Sequence, residues 1–235
     1  MHRYCEEGPP ESVLSLLKRI RDAADAETDY VDDDDHAPPR REVGRLQSLL
    51  TKRRGTISII AEYKRLLPGS GFLADAPAPA PELLSPVFCK FGASIVAVLA
   101  DERSGGCTYD DITTIVREQD GAADEVPGPL PVISSDLVVD EVQATRARDS
   151  GAVAVTITIG LIGMEVARRL VRAARALDME SIVVVSTPKE AVSAVSECGA
   201  SIVCVSGGVD GAEAKRDVTS SLLGLGPAFA AGRQQ

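Results

Sequence analysis

The sequence predicts an α/β chain in which parallel strands are joined by helical crossovers around an aliphatic core. Three observations predict it. From residue 57 onward, short β-branched runs alternate with longer stretches of helical period, the pattern of parallel pairing through crossovers. Aromatic residues make up only 3% of the 235 residues and Trp is absent, so Val, Ile, Leu and Ala must fill the interior, as in strands covered by helices. The first run, Ile57-Ser58-Ile59-Ile60-Ala61, ends in Glu62-Tyr63-Lys64 and opens into Pro68-Gly69-Ser70-Gly71. Side chains alternate along a strand, so Glu62 and Lys64 share one face.

Taken in order, residues 11–27 read as an amphipathic helix, with Val13, Leu14, Leu17 and Ile20 on one stripe opposite Lys18, Arg19 and Arg21. Asp32 to Asp35 and His36-Ala37-Pro38-Pro39 form a solvated linker, since consecutive aspartates diverge too much to favour one metal ion. A short helix over 42–50 precedes the first strand. Strands are expected at Ile57–Tyr63, Ser94–Leu99, Leu130–Ser134, Val153–Ile159, Ser181–Val185 and Ser201–Val205. Helices are expected over 81–91, 109–118, 139–149, 163–177, 187–197 and 212–223. In the clearest of them Val166, Leu170, Val171 and Ala174 share a buried face, with Arg168, Arg169, Arg172 and Arg175 on a solvated one. The prolines of 75–81 make a stiff loop, not a domain boundary. The organisation is thus an N-terminal helical extension over 1–55, a (β/α) domain over 56–224 and a flexible tail over 225–235.

Composition narrows the partners. A net charge of −10 argues against a nucleic-acid backbone or an anionic membrane surface, and no apolar run approaches the roughly 20 residues that span a bilayer. The start of the chain has neither the apolar region of a signal peptide nor the acid-poor character of a transit peptide. The five cysteines, Cys5, Cys89, Cys107, Cys198 and Cys204, contain no C-x-x-C pair, which fits a reducing compartment. Cys198 and Cys204 read as small buried hydrophobes. With only His2 and His36, no histidine metal site or triad is expected, and no cofactor is implied.

A charged pair at the carboxyl end of a buried strand, beside a glycine-rich loop, is where barrel enzymes place chemistry. The same pattern serves a strand whose last charges simply reach solvent, and the residues alone leave both readings open. Ile59-Ile60-Ala61-Glu62-Tyr63-Lys64-Arg65, however, resembles the first-strand motif of the indole-3-glycerol phosphate synthase family. Ile95 to Glu102 and Pro131 to Asp136 resemble its second and third strands, Gly151 to Val155 and Gly199 to Val203 its fourth and sixth. The resemblance covers roughly residues 11–224 and implies a (β/α)8 TIM barrel and a carboxy-lyase of tryptophan biosynthesis.

The resemblance also implies catalytic positions, and the chain departs from most of them. Glu62 and Lys64 are retained. Ser135 stands where the family has a third-strand lysine acting as general acid, and a hydroxyl is far too weak an acid for that role. Val184 stands in place of a fifth-strand glutamate base, Ser206 in place of a sixth-strand asparagine, and Leu67 in place of a serine. After Leu222-Leu223-Gly224-Leu225-Gly226-Pro227 no sequence is expected to form the seventh and eighth strands that hold substrate phosphate in the family. A phosphorylated substrate is therefore not expected. The expectation is a barrel of about six strand–helix units with open edges that invite a protein partner or self-association. The implied protein is an inactive synthase-like structural or assembly component, soluble, in a plastid stroma or cytoplasm. The alternatives are a diverged synthase, active alone or in a complex, and a small-ligand module using Glu62 and Lys64 as an anion clamp.

Overall fold

The computed structural model describes residues 44–51, 57–67, 71–72, 81–121 and 128–206, with Lys18 and Asp22 as isolated helical positions. Apart from those two, the helix expected over 11–27 lies outside the described residues, as do the 32–39 linker, 75–80, the 212–223 helix and the tail.

Six strands form one parallel sheet: β1 (Ile60–Tyr63), β2 (Ile95–Val98), β3 (Val132–Ser134), β4 (Ala154–Thr158), β5 (Glu180–Val185) and β6 (Ile202–Val205). They lie in sequence order, each parallel to the next. This is the strand order of a curling (β/α) barrel. Among the described residues β1 and β6 are its two edges. The crossovers are helices α2 (Pro81–Lys90), α3 (Tyr109–Gly121), α4 (Glu141–Asp149), α5 (Ile159–Ala176) and α6 (Pro188–Ser196), and α1 (Arg45–Leu50) precedes β1.

Alternation along the strands divides the core in two. Val96, Val98, Val132, Val155, Ile157, Val183 and Val185 face the crossover helices and meet Ile112, Ile115, Leu170 and Val171. The alternate residues Ile95, Ala97, Ile133, Ala154 and Ile182 form an inner cluster, closed by Leu46 and Leu50 of α1. Gly44 gives α1 no side-chain cap; instead Glu180, at the start of β5, accepts from the amides of Leu46 at 2.7 Å and Gln47 at 3.1 Å. A β-carbon on Gly44 would collide with that carboxylate. A carboxylate at a helix N-terminus satisfies amides the helix cannot.

The helix starts follow local chemistry. Asp140 and Gln143 form a reciprocal capping box on α4, and Thr187 caps α6, whose first residue is Pro188. Two expectations need correction. Ile159 opens α5 instead of ending β4, and α5 breaks at Gly163, whose φ of 77° and ψ of 167° suit only glycine. Cys204 is exposed, because it sits on the edge strand; Cys198 is buried as expected. The α5 arginines lie on the solvated face as expected, where Arg168 pairs with Glu197 and Arg169 with Glu141.

Candidate functional site

Residues Ala61 and Tyr63 of β1 pack on the helix side, so alternation turns Glu62 and Lys64 to the inner face, at the carboxyl end where barrel sites lie. The ammonium of Lys64 donates to Glu62 Oε2 at 2.5 Å, with 28% of the Lys64 side chain and 35% of the Glu62 side chain exposed. Ser135, the residue after β3, donates its hydroxyl to Glu62 Oε1 at 3.3 Å. Glu62 thus receives a charged donor from its own strand and a neutral one from two strands away. Val184 and Ser206 stand on the same face further along the sheet. Ile182 and Ile202 lie on the inner side, and residues two and four positions on share it. Val184 is registered with Thr158 and Cys204, and the Ser206 amide extends the ladder to the Val185 carbonyl. Thr158, Val184 and Cys204 bring no charge to this part of the face.

The strand end is held from the opposite side. The Arg65 guanidinium contacts Asp111 Oδ1 at 2.5 Å, donates to the Tyr63 hydroxyl at 2.9 Å, and lies 5.6 Å from the centre of the Tyr63 ring. Asp111 Oδ2 in turn accepts from the Thr108 amide at 2.8 Å. Burial pushes the Tyr63 phenol up, against the opposing bond from Arg65. Burial would lower the Arg65 pKa, but Tyr63 and Asp111 outweigh it and raise it. Burial, reinforced by the Asp111 charge, pushes the nearby Cys107 thiol up to about 11. Asp101 goes the other way: burial opposes its ionisation, yet bonds from Ser104 and from the Arg103 and Ser104 amides hold it below its usual value.

A second network anchors the loop after β3. Asp136, buried, accepts from the Tyr109 hydroxyl at 2.6 Å, the Gln143 side chain at 3.1 Å and the Leu137 amide at 2.7 Å. Its carbonyl accepts from Thr156 at 3.2 Å. Burial, with the Asp136 charge adding to it, drives the Tyr109 phenol far above its ordinary pKa. Asp136 follows Ser135 directly, so this network fixes where residue 135 points.

Of the positions singled out in the sequence, Glu62, Lys64 and Ser135 are in contact, whereas Val184 and Ser206 share only the face. Leu67 does not join them: its backbone pairs with Gly71 in a short antiparallel hairpin, Leu66–Leu67 with Gly71–Phe72. The sequence reading missed Arg65, Asp111 and Asp136. One signal was available, since Thr108-Tyr109-Asp110-Asp111 has the spacing of a capping box. Among the described residues, no group of three His, Cys, Asp or Glu side chains could hold a metal ion, and no helix is long and apolar enough to cross a membrane.

The family model for indole-3-glycerol phosphate synthase matches residues 16–207. The chain belongs to that family. Among curated relatives, the indole-3-glycerol phosphate synthase of Leptospira interrogans is 31% identical over 166 residues, covering 70% of this chain and 60% of the relative. That of Kineococcus radiotolerans is 30% identical over 158 residues, 67% of this chain and 53% of its own. The Mycolicibacterium vanbaalenii synthase is 28% identical over 192 residues, 81% and 66%. The chain therefore spans between half and two thirds of the length of these relatives. Solved structures align more loosely: a mandelate oxidase mutant at 15% identity covers 75% of this chain and 62% of its own, with a TM-score of 0.48. As an indole-3-glycerol phosphate synthase relative the chain has a barrel-type sheet, with six strands among the described residues. Its first-strand Glu62–Lys64 pair lies on the face where that fold carries its chemistry.

Proposed function

We propose that the chain is a catalytically inactive synthase-like protein that serves as a structural or assembly component. The observation that carries this reading is the carboxyl end of the inner face. Ser135 touches Glu62 where the family resemblance implies a lysine acid, and Val184 stands where it implies a glutamate base. A positioned acid or base contributes roughly 10²–10⁴-fold each, and neither a hydroxyl nor an isopropyl group replaces them. The Lys64 ammonium is already engaged by Glu62 at 2.5 Å, a contact that competes with any incoming anion.

The assembly role draws on the edges. Ile57 is 87% exposed, Ile59 51% and Ile60 40% at β1, and Val205 is 40% exposed on β6. Apolar edge strands are templates for pairing, so the expected partner is a second copy or another protein chain. Residues 56–224 are taken as the barrel-like unit, with 1–55 as an extension and 225–235 as a tail. The unpaired thiols of Cys89, Cys107, Cys198 and Cys204 favour a reducing home such as a plastid stroma or cytoplasm.

Light scattering on the purified chain, with turnover of carboxyphenylaminodeoxyribulose phosphate assayed on the same fraction, tests both halves. An inactive oligomer, or a chain that needs a partner for solubility, supports the proposal; a compact active monomer overturns it. The second reading is a diverged carboxy-lyase of tryptophan biosynthesis, favoured by family membership and by the intact Glu62–Lys64 placement. It requires measurable turnover that Lys64→Ala abolishes.

A further inference from the structure

We infer that Arg65 is a positioning residue: it holds the ammonium of Lys64 against Glu62 from the far side of the strand. Lys64 lies between two anchored neighbours. The Tyr63 carbonyl accepts from the Leu99 amide at 3.2 Å, and the Arg65 and Leu66 amides both donate to the Gly105 carbonyl, at 2.7 and 3.1 Å. These bonds tie the end of β1 to the turn between β2 and α3. Two glycines set the shape of that turn. A β-carbon on Gly105 would fall 2.2 Å from the Leu99 carbonyl oxygen, and Gly106 has a φ of +66°, a conformation that favours glycine.

The side chain of Arg65 completes the anchor. Its contact with Asp111 at 2.5 Å joins a side chain 30% exposed to one only 9% exposed, and the Thr108 amide fixes the other Asp111 oxygen. Its bond to the Tyr63 hydroxyl spans the two residues flanking Lys64. A largely desolvated ion pair is a costly way to gain stability alone, because apolar residues of similar volume often do as well. Its geometric effect is specific. With Tyr63 and Arg65 pinned on the helix side, the Lys64 backbone cannot rotate, and the ammonium is left facing Glu62. Lys64 needs this fixing whether it serves turnover or only charge balance, so the inference stands independently of the inactive reading.

Amine labelling of the folded chain with acetic anhydride, read by mass spectrometry, tests it, with the exposed Lys90 and Lys189 as internal references. Arg65→Lys and Asp111→Asn are expected to raise labelling of Lys64 about tenfold towards the reference lysines, the order of protection a charged hydrogen bond gives. Glu62→Gln should raise it too, and adding Arg65→Lys to Glu62→Gln should add little, since the two act through one contact. Glu180→Gln, which loosens the opposite end of the sheet, should leave Lys64 labelling unchanged. If Arg65→Lys fails to fold, Tyr63→Phe removes the hydroxyl that accepts from Arg65 while keeping the ring and should still give a smaller rise. Wild-type labelling of Lys64 in a folded Arg65→Lys or Tyr63→Phe protein would overturn the inference. An equal rise in Glu180→Gln would overturn it as well, by reducing the effect to general destabilisation.

Discussion

At the amino end of the sheet the inner face is closed by Leu46 and Leu50 over Ile95, Ile133, Ala154 and Ile182. At the carboxyl end the same face carries Glu62, Lys64 and Ser135 and stays partly open to solvent. The first region is held by apolar burial and by one carboxylate at a helix start. The second is held from behind, by Arg65–Asp111 and by the bonds around Asp136. A barrel can lose residues at the carboxyl end without unfolding, because its stability resides mainly in layers below and outside the site. On the proposed reading, that separation is what lets the fold survive the loss of an acid and a base.

The largest effect is expected where the comparison is sharpest. Leu46 is fully buried, so Leu46→Ala should cost about 2–5 kcal/mol in denaturant unfolding and leave Lys64 labelling as it is. Coupled loss at both ends would mean the two regions are not separable. A smaller loss, about 1 kcal/mol, is expected for Glu180→Gln, which keeps the shape but removes the charge at the start of α1. Hydrogen exchange at the Leu46 and Gln47 amides should rise with it.

Titration gives the smallest and most local signal. The Cys107 thiol at the carboxyl end is pushed up to about 11 by burial, so the folded state holds that proton more tightly than the unfolded chain does. Its contribution is complete below the ordinary thiol value near 9 and is lost as the pH rises from there through 11. Tyr109, raised in the same way by burial, adds a loss in the same direction above pH 10. Stability measured against pH should therefore fall on the alkaline side, and Cys107→Ala should flatten the first part of that fall. An unchanged slope would show that the thiol is not buried in solution.

The strands were legible because burial on one side and alternation leave a period-2 trace. Val96 and Val98 face the helices, Ile95 and Ala97 the interior, and each of the six strands of the parallel sheet starts within three residues of its expected start, whereas the short Leu66–Leu67 and Gly71–Phe72 hairpin was not expected. Ile159 was misplaced because a β-branched residue continues the strand pattern even where the chain has already turned into a helix. Glu62 and Lys64 were legible from spacing and resemblance, and Ser135 joined them through a contact across two strands. What sequence did not reveal was long-range pairing. Glu180 meets α1 from 134 residues away, and Arg65 meets Asp111 from 46. No local period encodes such partners. Cys204 was misread for a related reason, since an apolar run does not say whether its strand lies at the centre of a sheet or at its edge.

The most direct measurement is turnover of carboxyphenylaminodeoxyribulose phosphate by the purified chain beside its Lys64→Ala variant in one assay. On the proposed reading, in which Ser135 and Val184 replace an acid and a base, both proteins should release indole-glycerol phosphate only at the background rate. Turnover by the wild type that disappears in Lys64→Ala would contradict the account and make the chain a working lyase.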